Sequence, residues 1–239
     1  MKVAFLVPTT SRGRRWHDIR HTYLNRILLH SLQSQSPDTV AFYIGFDTDD
    51  PLYAKLEARL ALEAFHPQFT FRWHGFAPDR GNVTAIWNGL AQLASADGFE
   101  YFMVCGDDIT FPVGSLAHFW RHLQANRNVG WASGRSGNDR IATQFLVHQT
   151  HLTLFGWVFP PQIRNWYCDD FLHHVYPPPY RSWHRQYELD NGGGVERYQP
   201  RHQDRALCYR LIRQHRPAIE ALVRRHATSS RSPDFGTVM

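Results

Sequence analysis

An α/β fold with a mostly parallel central sheet is predicted for this chain of 239 residues, on three observations. Continuous apolar runs recur at Lys2–Pro8, Val40–Phe46 and Tyr101–Cys105, short enough for strands and apolar enough to be covered on both faces. Stretches with helical periodicity lie between them, the alternation of a doubly wound sheet. Acids gather where two of the runs end, at Asp47–Asp50 and at Asp107–Asp108. Open α/β sheets bind ligands at that end of their strands.

The elements follow in order. The first run stops at Pro8 and opens into Thr9, Thr10, Ser11, Arg12, Gly13 and Arg14. Hydroxyls, a glycine and two arginines after a first strand suit a nucleotide-contact loop, and equally a polar surface turn. Residues 18–34 read as one amphipathic helix, with Ile19, Tyr23, Ile27, Leu28 and Leu32 on one side. After the second run, Pro51 is placed to start a helix reaching about residue 64, with Leu52, Leu56, Leu60 and Leu62 apolar. Asp49 and Asp50 suit caps of that helix, whereas Asp47, at the strand tip, is the better ligand contact. A shorter strand is predicted at Phe69–Trp73. Asn82 then caps a helix carrying Val83, Ile86, Leu90 and Leu93, with Arg80 placed before it to meet a phosphate. On that helix Asn88 either reaches the site or faces solvent.

Tyr101–Cys105 leads into Gly106, Asp107 and Asp108. Two adjacent carboxylates at the end of a buried strand are costly unless a positive group lies between them and a ligand. A hard divalent cation bridging to phosphate oxygens fills that place. Gly106 lets the chain turn sharply. A helix over 113–124 and strands at 129–133 and 142–148 follow. Asp169 and Asp170 form a second acidic pair, beside Trp166 and Tyr167 and at the start of an apolar helix, Phe171–Val175. One of them is expected to cap that helix. The other, flanked by aromatic surface that raises its pKa, is a candidate general base.

Composition sets the bounds. Apolar residues make up 43% of the chain and aromatics 14%, so it folds around a sizeable core. We expect one domain over 1–226 and a flexible tail over 227–239. Cys105, Cys168 and Cys208 fit neither a metal spacing nor a disulfide framework. No apolar run is long enough to span a membrane. A soluble, cytoplasmic protein is the expectation. The net charge of +5 is carried by arginine, since only Lys2 and Lys55 are lysines. Between Arg197 and Arg231 nine arginines face only Asp204 and Glu220, a pattern read as a solvated helix face rather than a nucleic-acid surface.

In this order the motifs resemble the GT-A glycosyltransferases, especially the family-2-like group and related enzymes of large DNA viruses. The resemblance is carried by Val3–Arg12, the strand ending in Asp47, the Gly81–Gly89 helix and Cys105-Gly-Asp-Asp108 as a variant of the DxD element. Phe155-Gly-Trp-Val-Phe-Pro-Pro with Asn165–Asp170 is similar to the acceptor-side loop of inverting members. Gly106 departs from the pattern, standing where a strict DxD has its first acid. The resemblance implies a donor half over about 1–110 and an acceptor half over about 111–226. It implies Mn²⁺ or Mg²⁺ on Asp108, with Asp107 on metal, ribose or donor sugar. A nucleotide-diphosphate sugar would lie over Thr9, Thr10, Ser11 and Arg12 and against Asp47, with Arg80 and Asn88 nearby. Asp169 or Asp170, with Asp169 favoured, would deprotonate a hydroxyl of a glycan or glycoprotein acceptor, with Trp157, Trp166 and Tyr167 as stacking faces. Asn191–Tyr198 resembles a C-terminal loop of the viral group near the donor. Gly-Asp-Asp also suits a polymerase-like nucleotidyltransferase, and the aromatics suit a carbohydrate-binding module. The first lacks room for further subdomains and the second leaves the paired acids unexplained.

Overall fold

The computed structural model describes residues 2–33, 39–137, 139–193 and 202–228. Its strands are β1 (Lys2–Pro8), β2 (Thr39–Asp47), β3 (Thr70–Phe76), β4 (Tyr101–Val104), β5 (Ile109–Thr110), β6 (Trp131–Ser136), β7 (Phe145–His148) and β8 (Arg181–Asn191). Its α-helices are α1 (His30–Leu32), α2 (Leu56–Phe65), α3 (Val83–Ala96), α4 (Ser115–Ala125), α5 (Gln149–Phe155), α6 (Cys168–Val175) and α7 (His202–Thr228). The strands form one mixed sheet in the order β3-β2-β1-β4-β7-β6-β8-β5. β3, β2, β1 and β4 run parallel, β7 runs against both β4 and β6, and β8 is parallel to β6 and antiparallel to β5.

β1 is apolar from Val3 onward because helices cover both faces of the sheet. Its alternate residues feed two cores. Val3, Phe5 and Val7 join Phe42, Ile44, Met103, Phe111 and Phe119 on one face. Ala4 and Leu6 join Tyr43, Leu90, Phe102, Phe145 and Phe171 on the other. Phe5 lies 5.1 Å from the Phe42 ring and 5.5 Å from Phe111. Each fully buried side chain of this size contributes about 1.5–3 kcal/mol over its exposed state.

Several elements differ from the sequence expectation. Residues 18–34 do not form one helix. A 3₁₀ turn at Ile19–His21 ends at Thr22, whose hydroxyl donates to Ile19 O at 2.7 Å, and the chain re-enters as a π-helix over Leu24–Leu29 before α1. Local side-chain bonds of this kind compete with the α-helical ladder. α2 starts at Leu56 rather than Pro51, because the Asp50 carboxylate accepts from the Leu52 and Tyr53 amides and closes a separate turn. Of its apolar residues Leu56 and Leu60 are more than half exposed, while Ala58 and Leu62 face inward. Gly114, at φ 78°, delays the start of α4 to Ser115. β7 starts at Phe145 rather than residue 142. α5 and β8 were not predicted. α7 extends to Thr228, one residue past the expected start of the tail at 227, and residues 229–239 lie outside the described residues. Cys105, Cys168 and Cys208 are buried and unpaired. Among the described residues no helix is long and apolar enough to cross a membrane.

Candidate functional site

A cleft of about 360 Å³ opens at the C-terminal ends of β1 and β2. Pro8, Thr9, Thr10, Arg12, Asp47, Asp79, Arg80, Gly81, Asn82, Val83 and Ile86 line it. Of the residues predicted from sequence, Thr9, Thr10, Arg12, Asp47 and Arg80 therefore come together. Asp49, weighed only as a helix cap, organises the two cations. The Arg12 guanidinium reaches its carboxylate at 2.7 Å and donates to its backbone oxygen, and Arg80 approaches within 3.7 Å. Burial raises the pKa of Asp47, helped by the Asp49 charge and opposed by Arg12. Asp79 holds Arg164 at 2.5 Å across the rim.

Ser11 belongs to the frame rather than the cleft. The buried Asp50 carboxylate accepts from Ser11 N at 2.8 Å, Ser11 Oγ at 2.6 Å and Thr10 Oγ1 at 2.9 Å, besides the Leu52 and Tyr53 amides. Burial raises the pKa of Asp50, but these bonds more than offset it and leave the group below the ordinary carboxylate range. Asp50 thus ties the loop after β1 to the loop after β2. It does not cap α2, whose N-cap is Lys55.

Asp107 and Asp108 part company. Asp107 is only 5% exposed, and its Oδ2 accepts from Thr9 Oγ1 at 2.6 Å. Through that bond Asp107 is tied to the cleft wall, which Thr9 lines. Asp108 is partly exposed and is held between two glycines. A Cβ on Gly106 would lie 2.6 Å from Asp108 Oδ1, and one on Gly193 would lie 1.7 Å from Oδ2. The Gly192 amide donates to Asp108 O at 2.9 Å where β5 meets the end of β8. Only glycine allows this approach. The start of the Asn191–Tyr198 loop thus lies on Asp108, and residues 194–201 fall outside the described residues. Gln144 Oε1, not singled out in the sequence, accepts from the Gly106 amide at 3.2 Å.

Asn88 neither lines the cleft nor faces solvent. Its Oδ1 accepts from the Val158 and Phe159 amides at 2.9 and 3.0 Å, and its Nδ2 donates to Phe159 O at 2.8 Å. Beside it, the Trp87 indole N–H points at Leu6 O (3.2 Å) and Cys105 O (3.4 Å), at the ends of β1 and β4. Thr84 Oγ1 donates to Ile163 O, and the Thr84 amide to Arg164 O. The start of α3 thereby fixes the segment leading to the second acidic pair. Asp169 lies five residues beyond Arg164, so chain length alone keeps it within about 17 Å of the cleft rim.

Asp169 and Asp170 occupy the first turn of α6, and neither is its N-cap. Tyr167 takes that place, at φ 73° and without a side-chain bond. The capping role expected of one acid is not observed. Asp169 Oδ1 accepts from the Asp170 amide at 3.0 Å. Burial, and then the Asp170 charge, push the Asp169 carboxyl up to about 7. Trp157, half-buried, stacks on Phe155 at 4.9 Å and contacts Phe171, which ties it to the core.

A polymerase-like Gly-Asp-Asp belongs in a hairpin. Here β4 pairs with β1 and β7, while β5 pairs with β8, so the motif joins two strands that do not pair with each other.

No family model and no curated protein sequence matches the chain. Solved structures do. Staphylococcus aureus TarS in complex with UDP-GlcNAc superposes with a TM-score of 0.62 at 13% identity, over 89% of this chain and 65% of that one. The mannosyltransferase PcManGT from Pyrobaculum calidifontis, in complex with GDP-Man and Mn²⁺, gives 0.56 at 14% identity, over 94% and 64%. GalNAc-T7 with UDP, GalNAc and Mn²⁺ gives 0.57 at 7% identity, over 84% and 45%. The chain spans less than two thirds of the length of each. The viral part of the sequence resemblance finds no support among these neighbours. What they share with this chain is its α/β architecture of a curled, mixed, mostly parallel sheet, the GT-A fold.

Proposed function

We propose that the chain is a metal-dependent glycosyltransferase, moving a sugar with inversion from a nucleotide-diphosphate sugar to a hydroxyl of a glycan or glycoprotein. One observation carries this reading: Arg12 and Arg80 converge at a cleft on the strand ends, and Thr9 in its wall bonds the residue next to Asp108. Arg12 and Arg80 suit a diphosphate, and Asp47 and Thr10 suit ribose or base. Asp108 suits a hard cation, since it offers carboxylate oxygens on a partly exposed side chain at the strand end. Asp107 supports the strand end through Thr9. A bound Mn²⁺ or Mg²⁺ supplies Lewis-acid neutralisation of the diphosphate leaving group. Asp169, basic enough to hold a proton near neutral pH, takes the proton of the acceptor hydroxyl as its oxygen attacks from the face opposite the leaving group. The fold of TarS and PcManGT, solved with UDP-GlcNAc and GDP-Man, agrees with a sugar-nucleotide donor.

The test is calorimetric titration of UDP-, GDP- and TDP-sugars with and without Mn²⁺, on the parent and Asp108→Asn. The parent should bind one donor class only with metal, and Asp108→Asn should lose that metal-dependent part while keeping its melting temperature. Unchanged Mn²⁺-dependent affinity in the variant would remove Asp108 from the metal site.

A further inference from the structure

Three imidazoles meet where α4 packs against β8. His118 and His122 stand one turn apart on α4, and His184 comes from β8. One nitrogen of each lies within 4.8 Å of the others. His118 Nε2 and His184 Nδ1 are 3.2 Å apart. The His122 ring is 4.4 Å from His118 and 4.1 Å from His184, centroid to centroid. A tetrahedral Zn²⁺ with bonds of about 2.0–2.1 Å holds its nitrogens roughly 3.4 Å apart, close to the His118–His184 separation, with the third nitrogen within 4.8 Å of both. An imidazole–imidazole hydrogen bond accounts for His118 and His184 but not for the third ring turned onto both. Burial and the neighbouring His122 and Arg121 lower the pKa of His118. Burial with His122 and His118 brings His184 to about 4.

We propose that His118, His122 and His184 form a binding site for a divalent transition-metal ion of the zinc type, its fourth position left to water. All-imidazole donors select such an ion over Mg²⁺ or Mn²⁺, which prefer oxygen, and the site shares no residue with Asp107–Asp108. Its place in the sheet gives it a consequence. Gly134 pairs with His184 but Arg135 pairs with Glu188, so β8 slips its register directly after His184. A metal there clips α4 to the last regular position of the strand whose far end lays Gly193 against Asp108.

The experiment takes the full chain, stripped by chelator, and titrates it with Co²⁺ as a spectroscopic stand-in for Zn²⁺. One equivalent should give the intense visible bands of tetrahedral Co²⁺, which Zn²⁺ displaces, and Zn²⁺ should raise the melting temperature by several degrees. His122→Ala removes an exposed ring and should keep the fold while weakening Zn²⁺ at least tenfold and abolishing the bands. Asp108→Asn should keep both. Weak octahedral absorption in the parent overturns the proposal. So do bands that survive His122→Ala and His184→Gln, and so does metal uptake that Asp108→Asn abolishes.

Discussion

At the residue scale, Asp169 joins stability to rate. Its carboxyl titrates near 7 in the folded chain because burial, and then Asp170, disfavour the charge, whereas an unfolded aspartate titrates near 3.9. Between those values the unfolded state releases a proton that the folded state keeps. Stability therefore falls as pH rises from about 4 to about 7, and the cost is complete above the folded pKa. On the proposed mechanism the same ionisation creates the base. Turnover should rise with pH along a limb near 7, and Asp169→Asn should lower it by about 10²–10⁴-fold. The variant should also melt higher than the parent at pH 8, where the parent carries the buried charge. A variant that keeps near-parental turnover at saturating donor takes Asp169 out of the chemistry. The paired acids, Asp47 and the two arginines were legible because each follows an apolar run or precedes a helix. Which acid of each pair faces the site was not, since Asp107 and Asp108 differ only in what Thr9 and Gly193 do to them, and those contacts span 98 and 85 positions.

At the element scale, two turns position the cleft. Asp50 gathers five donors from residues 10, 11, 52 and 53 while almost fully buried. Asp50→Ala leaves the Ser11, Leu52 and Tyr53 amides without this acceptor and should cost about 2–4 kcal/mol in urea unfolding. It should also weaken donor binding, because the Arg12 loop loses its anchor. A loss below about 0.5 kcal/mol would show that water replaces the carboxylate. The turn at the end of β8 tests differently. A methyl on Gly193 collides with Asp108 Oδ2, while one on Gly192 meets only the tip of Ile27 at 2.9 Å, a flexible side chain. Gly193→Ala should therefore lose metal-dependent donor binding, and Gly192→Ala should keep most of it. Equal behaviour of the two would mean that the turn has no hold on Asp108. The glycines were visible in the sequence, but β8 was not. Leu189 is its one fully buried apolar residue, and its pairing needs Gly130 and Gly134, where Tyr180 O and Tyr187 O lie where a Cβ would be.

At the scale of the molecule, the parallel half of the sheet was legible and the antiparallel half was less so. β1, β2 and β4 are buried on both faces and write themselves as unbroken apolar runs. β8, lying along the margin of the sheet, leaves most of its residues partly exposed and carries no such run. What joins the two halves is α3. Asn88 holds the Val158 and Phe159 backbone, and Thr84 holds Ile163 and Arg164, so the segment entering α6 is fixed from the helix that borders the cleft. Asn88→Ala leaves three backbone groups without these partners at two residues that are at most 1% exposed. Each such group costs about 1–3 kcal/mol. The variant should melt several degrees lower, and amide exchange should quicken over 158–164. Donor affinity should stay within twofold, because Asn88 does not line the cleft, while turnover should fall as the segment carrying Asp169 loosens. The family resemblance puts Asn88 near the nucleotide, and the two roles give different outcomes. A loss of donor binding with an unchanged melting temperature and unchanged exchange would return Asn88 to the nucleotide.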